Sequence, residues 1–169
     1  STASVDFEKL PLDQVLSFRI NRLSAALGRQ ASVILEKESK LSLVEWRLLR
    51  LLADGQGAIA RDLSRVSGMN PALISRGIRR LEGRQLIVTK RDENDRRTQR
   101  LTLTLKGQRL YEQTIPVMGR RHEALYASLS ESEREQFASI LDKLDTHAQI
   151  LEFPESSKQE ARTFPESGK

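Results

Sequence analysis

Residues Asn70 to Thr104, NPALISRGIRRLEGRQLIVTKRDENDRRTQRLTLT, constrain the fold more than any other stretch of the 169-residue chain. Asn70 suits a helix cap, because its side chain can accept from first-turn N–H groups, and Pro71 suits the first helical position, where a missing N–H costs little. Leu73, Ile74, Ile78 and Leu81 recur at three- and four-residue spacing, which predicts a core-facing stripe on a helix spanning 71–83. The opposite face carries Ala72, Ser75, Arg76 and Arg79, all small, polar or cationic. LIVTKR and QRLTLT then read as β-strands, with RDENDRRT between them as an exposed loop. A helix that can enter a groove is thus followed at once by a basic loop that can reach sideways.

Arginines on a helix face are by themselves most often a solvated surface, so the preceding residues matter. AIARDLSRV, Ala58 to Val66, reads as a short helix with Ile59, Leu63 and Val66 inward, and SGMN supplies a turn containing Gly68. Helix, short glycine-bearing turn and second helix make the helix-turn-helix spacing. With the hairpin added, the expected fold class is mainly α: a winged helix-turn-helix with a small β-hairpin wing, Gln56 and Gly57 adding a short third strand.

The chain resembles the MarR family, the multiple-antibiotic-resistance type of bacterial transcription regulators. The residues that carry the likeness are ISRGIRRLEGRQLI, the loop signature DENDRR from Asp92 to Arg97, and the LTLTLKG that follows. It covers roughly residues 12 to 150. It implies a homodimer that binds a palindromic double-stranded DNA operator, and commonly a small aromatic or phenolic acid as effector. One departure is Ala72, where a hydroxyl residue is frequent in the family; it removes one phosphate or base contact. The family's Asp-Arg-Arg pattern positions an arginine for the minor groove, and by resemblance that arginine is Arg97. From the residues themselves, Asp95 is expected to orient a nearby guanidinium through a bidentate pair. The candidate DNA set is therefore Asn70, Ala72, Ser75, Arg76, Arg79 and Arg80 on the helix, with Arg91, Asp95, Arg96 and Arg97 in the wing.

Charge agrees with this placement. Between Arg61 and Arg109 there are thirteen Lys/Arg against five Asp/Glu, a balance of +8, whereas the rest of the chain holds fifteen against eighteen, or −3, for a net +5. Positive charge concentrated on one segment is the electrostatic footprint of phosphate binding. The absence of cysteine excludes disulfides and the thiol-based oxidant sensing of some relatives. No apolar run approaches a membrane span and no signal-peptide pattern is present, so the expectation is a cytoplasmic protein without a membrane partner.

The flanking segments read as helices. Leu16, Ile20, Leu23, Leu27, Ala31 and Ile34 form a helical stripe over residues 12–37, read as a core face, with Arg19, Arg22 and Arg29 interleaved. Ser42 and Glu45 make a capping box that opens a buried helix 42–53, ended by Asp54-Gly55. After Thr104, a cap, a long helix 105–129 shows Leu110, Ile115, Met118, His122, Leu125 and Leu129 on one face, with Pro116 expected to kink or split it. A second capping box, Ser130 to Glu133, starts a last helix with Phe137, Ile140, Leu141, Leu144, Ala148 and Leu151 inward. The apolar surplus at both ends argues for pairing with a second copy.

The expected organisation is an amino-terminal dimerisation helix (1–37), a DNA-binding domain (38–104), carboxy-terminal dimerisation helices (105–151) and a disordered tail (152–169) in which FPES occurs twice. Leu16, Arg19, Ile20, Arg22, Trp46 and Arg47 are the candidate effector residues, cations for a carboxylate and apolar walls for its body. His122 and His147 lie far apart without companion ligands, and no phosphate loop or nucleophile–base pair exists, so neither metal, cofactor nor enzymatic activity is expected. The competing readings are a winged helix used as a protein-interaction module and an architectural DNA binder without an effector. Salt-dependent DNA binding separates the first from a regulator, and operator preference separates the second.

Overall fold

The structure, a computed structural model, describes residues 6–55, 57–92, 94–95 and 97–149. Gln56, Arg96, Leu151 and the 152–169 segment lie outside the described residues. The described chain runs through 3-10 turns at Phe7–Lys9 and Leu12–Gln14, then α1 (Leu16–Glu38), α2 (Leu43–Leu52), α3 (Ala60–Ser67), α4 (Pro71–Gly83), β1 (Ile87–Arg91), β2 (Gln99–Leu103), α5 (Leu105–Ala127) and α6 (Glu131–Ala148). It is a mainly helical winged helix-turn-helix, and it forms two compact units, Ser1–His122 and Glu123–Lys169, that divide within α5.

The core of the first unit is built around α2. Its Leu48, Leu49 and Leu52 are fully buried against Leu35 of α1, Leu63 of α3, Ile74 and Leu81 of α4, and Leu101 of β2. Burying a leucine side chain contributes roughly 1.5–3 kcal/mol, so this short helix anchors every neighbour. Its start is fixed locally: Ser42 Oγ accepts from Glu45 N at 3.1 Å, and Glu45 Oε2 accepts from Ser42 N at 2.8 Å. Trp46 is buried and stacks on Tyr111 of α5, ring centroids 5.5 Å apart.

The hairpin pairs β1 and β2 antiparallel from Ile87↔Leu103 to Arg91↔Gln99. A third, single-residue bridge joins Ala58 to Leu101, one residue later than the Gln56–Gly57 pair expected from sequence. Gly57 supplies the bend before it: at φ 72° a Cβ would lie 2.7 Å from the Leu101 carbonyl oxygen.

Several apolar positions differ from the sequence expectation. α1 begins at Leu16, not Leu12, because Leu12–Gln14 close a 3-10 turn and Val15 is extended. Only the second half of its stripe approaches the core: Ala31 is buried, Leu27 and Ile34 are half-buried, and Leu16, Ile20 and Leu23 are exposed, while Leu35, outside the stripe, is fully buried. α3 starts at Ala60 rather than Ala58, which is committed to the bridge, and Val66 is exposed at 67%. Leu73 is 41% exposed because the buried line of α4 runs through Ile74, Gly77 and Leu81, centred roughly 75° around the helix from it at ~100° per residue. α5 passes Pro116 without splitting and ends at Ala127 rather than Leu129. Pro116 and Glu112 are both exposed, so the proline lies on the solvent side of the helix. His122 is exposed as well.

In the second unit the Ser130–Glu133 capping box forms as expected, with Ser130 Oγ accepting from Glu133 N at 3.2 Å. The face of α6 expected to point inward does not: Phe137, Ile140 and Leu141 are exposed and Leu144 is half-buried.

Candidate nucleic-acid interface

The helix-turn-helix is α3, the turn Gly68–Asn70, and α4. Gly68 takes the left-handed conformation (φ 66°) that ends α3. The turn is laced internally: Ser64 Oγ donates to Met69 O at 3.0 Å, Ser67 Oγ donates to Leu63 O at 2.6 Å, and Met69 N donates to Ser67 Oγ at 3.2 Å. Asn70 Oδ1 then accepts from Ala72 N at 2.8 Å, starting α4 at the expected residue. α4 lies against α2 through Gly77, where a Cβ would meet Leu48 Cδ1 at 2.8 Å and Val44 Cγ1 at 3.1 Å. This close approach fixes which face of α4 is outward.

That outward face carries Ala72, Ser75, Arg76 and Arg79, all exposed. Ser75, Arg76 and Arg79 have no side-chain hydrogen bond or ion pair among the described residues. Arg80 is also exposed, but its Nη1 lies 3.9 Å from Glu45 Oε1, a carboxylate whose side chain is 5% exposed. Arg84, the carboxy-terminal cap of α4, donates to Lys40 O at 2.8 Å and Ser39 O at 3.1 Å. These bonds fasten the end of α4 to the α1–α2 corner and leave its first two turns outward.

The wing is ordered by its carboxylates, though not in the way the sequence suggested. Asp92 Oδ2 accepts from Arg100 Nε at 2.9 Å, and Arg100 Nη1 donates to Gly57 O at 3.2 Å. Asp92 Oδ1 accepts from Asn94 N at 2.8 Å. Asp95, expected to orient a guanidinium, closes the backbone turn: Oδ1 accepts from Arg97 N at 3.0 Å and Oδ2 from Thr98 Oγ1 at 2.7 Å, and it meets no guanidinium among the described residues. An Asx turn satisfies local donors at short range, and this competes with a longer reach to a side chain. Both carboxyls sit below the ordinary aspartate range, Asp92 through the Asn94 N–H and then Arg100, Asp95 through the Thr98 hydroxyl and then the Arg97 N–H.

Arg91 and Arg97 project from this hairpin exposed, with no side-chain partner among the described residues. Arg96 lies outside the described residues. Arg100 and Asp92 were missed as a pair in the sequence reading, and the register shows what could have found them. Arg100 stands directly across from Lys90, and like charges opposite one another require a nearby acid to be tolerated.

Of the candidate effector residues, two share a groove. Arg19 and Arg22 line an open groove on α1 together with Asp13, Phe18, Leu23 and Ala26. Leu16, Ile20, Trp46 and Arg47 do not line it; Trp46 is enclosed against Tyr111, and Arg47 is exposed on α2. No cluster of metal-ligating side chains occurs among the described residues, and no helix among them is long and apolar enough to cross a membrane.

An outward cationic helix beside an ordered basic wing defines a winged-helix DNA-binding protein. Residues 41–98 match the family model described as MarR family. The chain is 30% identical over 106 residues to the HTH-type transcriptional regulator FarR of Neisseria gonorrhoeae, covering 63% of this chain and 70% of FarR. It is 25% identical over 132 residues to the HTH-type transcriptional repressor Rv2887 of Mycobacterium tuberculosis, covering 78% and 94%. A solved MarR/EmrR family regulator from Acinetobacter sp. ADP1 superposes with a TM-score of 0.77 at 26% identity, over 82% of this chain and 98% of that one. The chain belongs to the MarR family: it is a DNA-binding transcription regulator, not an enzyme.

Proposed function

We propose that the chain is a homodimeric, sequence-specific repressor that acts in the cytoplasm on a pseudo-palindromic operator and is released by a small organic acid. The observation that carries the reading is the pairing of unpartnered Ser75, Arg76 and Arg79 on the outward face of α4 with Arg97 on a wing ordered by Asp92 and Arg100. α4 reads the major groove with these three side chains, flanked by Asn70, Ala72 and Arg80. Arg97 enters the adjacent minor groove, whose negative potential attracts arginine where A·T pairs narrow it, and Arg91 and Arg96 add positive charge beside it.

Pairing is supported by the apolar residues that stay exposed at both ends of the chain, Leu16, Ile20 and Leu23 on α1 and Phe137, Ile140 and Leu141 on α6. In this reading residues 1–37 and 105–151 join two copies and 38–104 contacts DNA. Two-fold symmetry then sets the half-site centres about one helical turn, ~10 bp, apart. Repression is supported by Rv2887, which is named a repressor.

The effector reading rests on Arg19 and Arg22, whose groove also offers Phe18 and Leu23 to an aromatic body. An acid bound there releases DNA only if it favours a wing spacing that misfits the operator, and DNA must weaken the acid by the same factor. The test of the whole reading is a footprint on the chain's own upstream region, followed by competition on base-substituted sites. Arg97→Ala weakens binding by roughly 1–3 kcal/mol at every sequence, whereas Arg76→Ala and Arg79→Ala also relax base preference. Unchanged affinity in a folded Arg97→Ala dimer refutes the wing assignment, and a monomer footprinting a single half-site refutes the dimer.

A further inference from the structure

We propose that Glu45 is a positioning residue for DNA binding: it holds the Arg80 guanidinium at the edge of the reading face of α4, where Arg80 meets a backbone phosphate. The inference rests on the reading of α4 as the helix that enters the groove, and it names what sets one of that helix's cations.

The capping box that opens α2 explains the position of Glu45 but not its charge. Oε2 accepts from Ser42 N at 2.8 Å, a bond that a glutamine amide oxygen makes as well. The Glu45 side chain is 5% exposed, and a buried carboxylate is costly unless cations face it. Two do, and both come from α4: Arg80 Nη1 stands 3.9 Å from Oε1, and Arg84 Nη1 stands 4.0 Å from Oε2. Gly77 makes this approach possible, because it seats α4 closely on Val44 and Leu48 of α2. Arg80 and Arg84 follow Gly77 by three and seven residues, which places them along one side of the helix.

The two arginines are committed differently. Arg84 also donates to Lys40 O and Ser39 O, so it serves the α1–α2 corner. Arg80 has no partner besides Glu45 among the described residues, and its side chain is 74% exposed. One edge of its guanidinium faces a buried negative charge while its other donors face solvent. Arg76 lies four residues earlier, and residues at that spacing are neighbours on a helix surface. A planar fork oriented in advance loses less freedom on meeting a phosphate than one that swings freely.

The experiment is fluorescence anisotropy of the full chain on the footprinted operator and on base-substituted duplexes, with Arg76→Ala as the control for reading by α4. Glu45→Gln keeps the cap and removes the charge. It weakens every duplex about threefold per half-site, roughly tenfold for two half-sites, because a backbone contact carries no sequence information. Loss of a negative charge without a positioning role tightens DNA binding instead. Arg80→Gln weakens binding at least as much and lowers the salt slope by about one per protomer. Adding Glu45→Gln to Arg80→Gln costs nothing further.

A Glu45→Gln affinity equal to or tighter than the parent's overturns the proposal. So does a Glu45→Gln loss that persists in the Arg80→Gln background, since it then acts through Arg84 or the fold. A loss accompanied by relaxed base preference overturns it too, because that marks a tilt of α4, as does an Arg80→Gln salt slope equal to the parent's. If Glu45→Gln does not fold by circular dichroism, Arg80→Lys decides. Its ammonium keeps the charge without the fork, so affinity falls roughly threefold per half-site, and parent affinity refutes the proposal. Arg76→Ala without effect on base preference refutes the reading of α4 itself, and the proposal falls with it. Relaxed preference in Arg76→Ala beside an indifferent Glu45→Gln refutes the proposal alone.

Discussion

Gly107 offers the sharpest test of how the wing is joined to the rest of the fold. It lies in the first turn of α5, and a Cβ built there would stand 1.9 Å from Leu86 O and 2.9 Å from the Leu86 carbonyl carbon. Real Cβ contacts essentially never fall under 3.0 Å, so Gly107→Ala forces a separation of at least ~1.1 Å, the gap between 1.9 and 3.0 Å. Leu86 cannot give way easily. It is 1% exposed, its N–H donates to Leu81 O at 2.9 Å, and its carbonyl accepts from Thr104 N at 3.0 Å. If α5 moves instead, the Thr104–Leu86 bond stretches beyond hydrogen-bonding range.

Overpacking of this kind costs about 1–3 kcal/mol and a lost backbone hydrogen bond about 0.5–1.5 more. Alanine in a helix recovers roughly 1 kcal/mol relative to glycine. The net expectation is a loss of about 0.5–3.5 kcal/mol. Gly83→Ala is the matched control: nothing stands within 4 Å of its Cβ position, and the substitution stabilises by roughly 0.4–1 kcal/mol. Urea unfolding followed by Trp46 emission reads both, at one protein concentration because association contributes to the stability of a dimer. A Gly107→Ala midpoint equal to or above that of the parent refutes the close approach of α5 to Leu86.

Arg100→Ala, measured by fluorescence anisotropy, weakens operator binding on the order of tenfold, since it releases the wing from both Asp92 and Gly57. Asp92→Ala does the same, and the double variant is no worse than either single; additive losses contradict a shared role. The lowered carboxyl pKa values of Asp92 and Asp95 stabilise the wing above the unfolded aspartate value, about 3.9, and this is lost only as pH falls through the still lower folded values. At constant salt, operator affinity between about pH 8 and about pH 5 therefore carries no titration from these groups, and a midpoint in that window that shifts in Asp92→Asn contradicts the wing geometry. Ser42→Ala removes the α2 cap and lowers stability by about 1 kcal/mol in urea unfolding, a cost that a neutral result would disprove.

What the sequence determined by itself was whatever short-range chemistry controls. The two capping boxes, the Asn70-Pro71 start of α4, the end of α4 at Gly83 and the hairpin strands all follow from residues within a few positions of one another, and each forms as read. The outward set Ala72, Ser75, Arg76 and Arg79 was legible too, because the apolar stripe on the other side of the same helix leaves it only one way to face.

Tertiary structure decided what depends on a neighbour distant in the chain. The stripe on α1 is continuous in sequence, yet of its residues only Ala31 is fully enclosed; periodicity says which face is apolar, not how far along the helix a covering element extends. Leu73 satisfies the spacing and is exposed, because the docking of α4 on α2 is set by Gly77 against Leu48 and Val44; Val66 of α3 satisfies it too and is exposed. Within the wing, sequence supplied two aspartates and several arginines but not their pairing. Asp95 closes its own turn, and Asp92 takes Arg100, since only the strand register brings that guanidinium within 2.9 Å and points it at the Gly57 carbonyl.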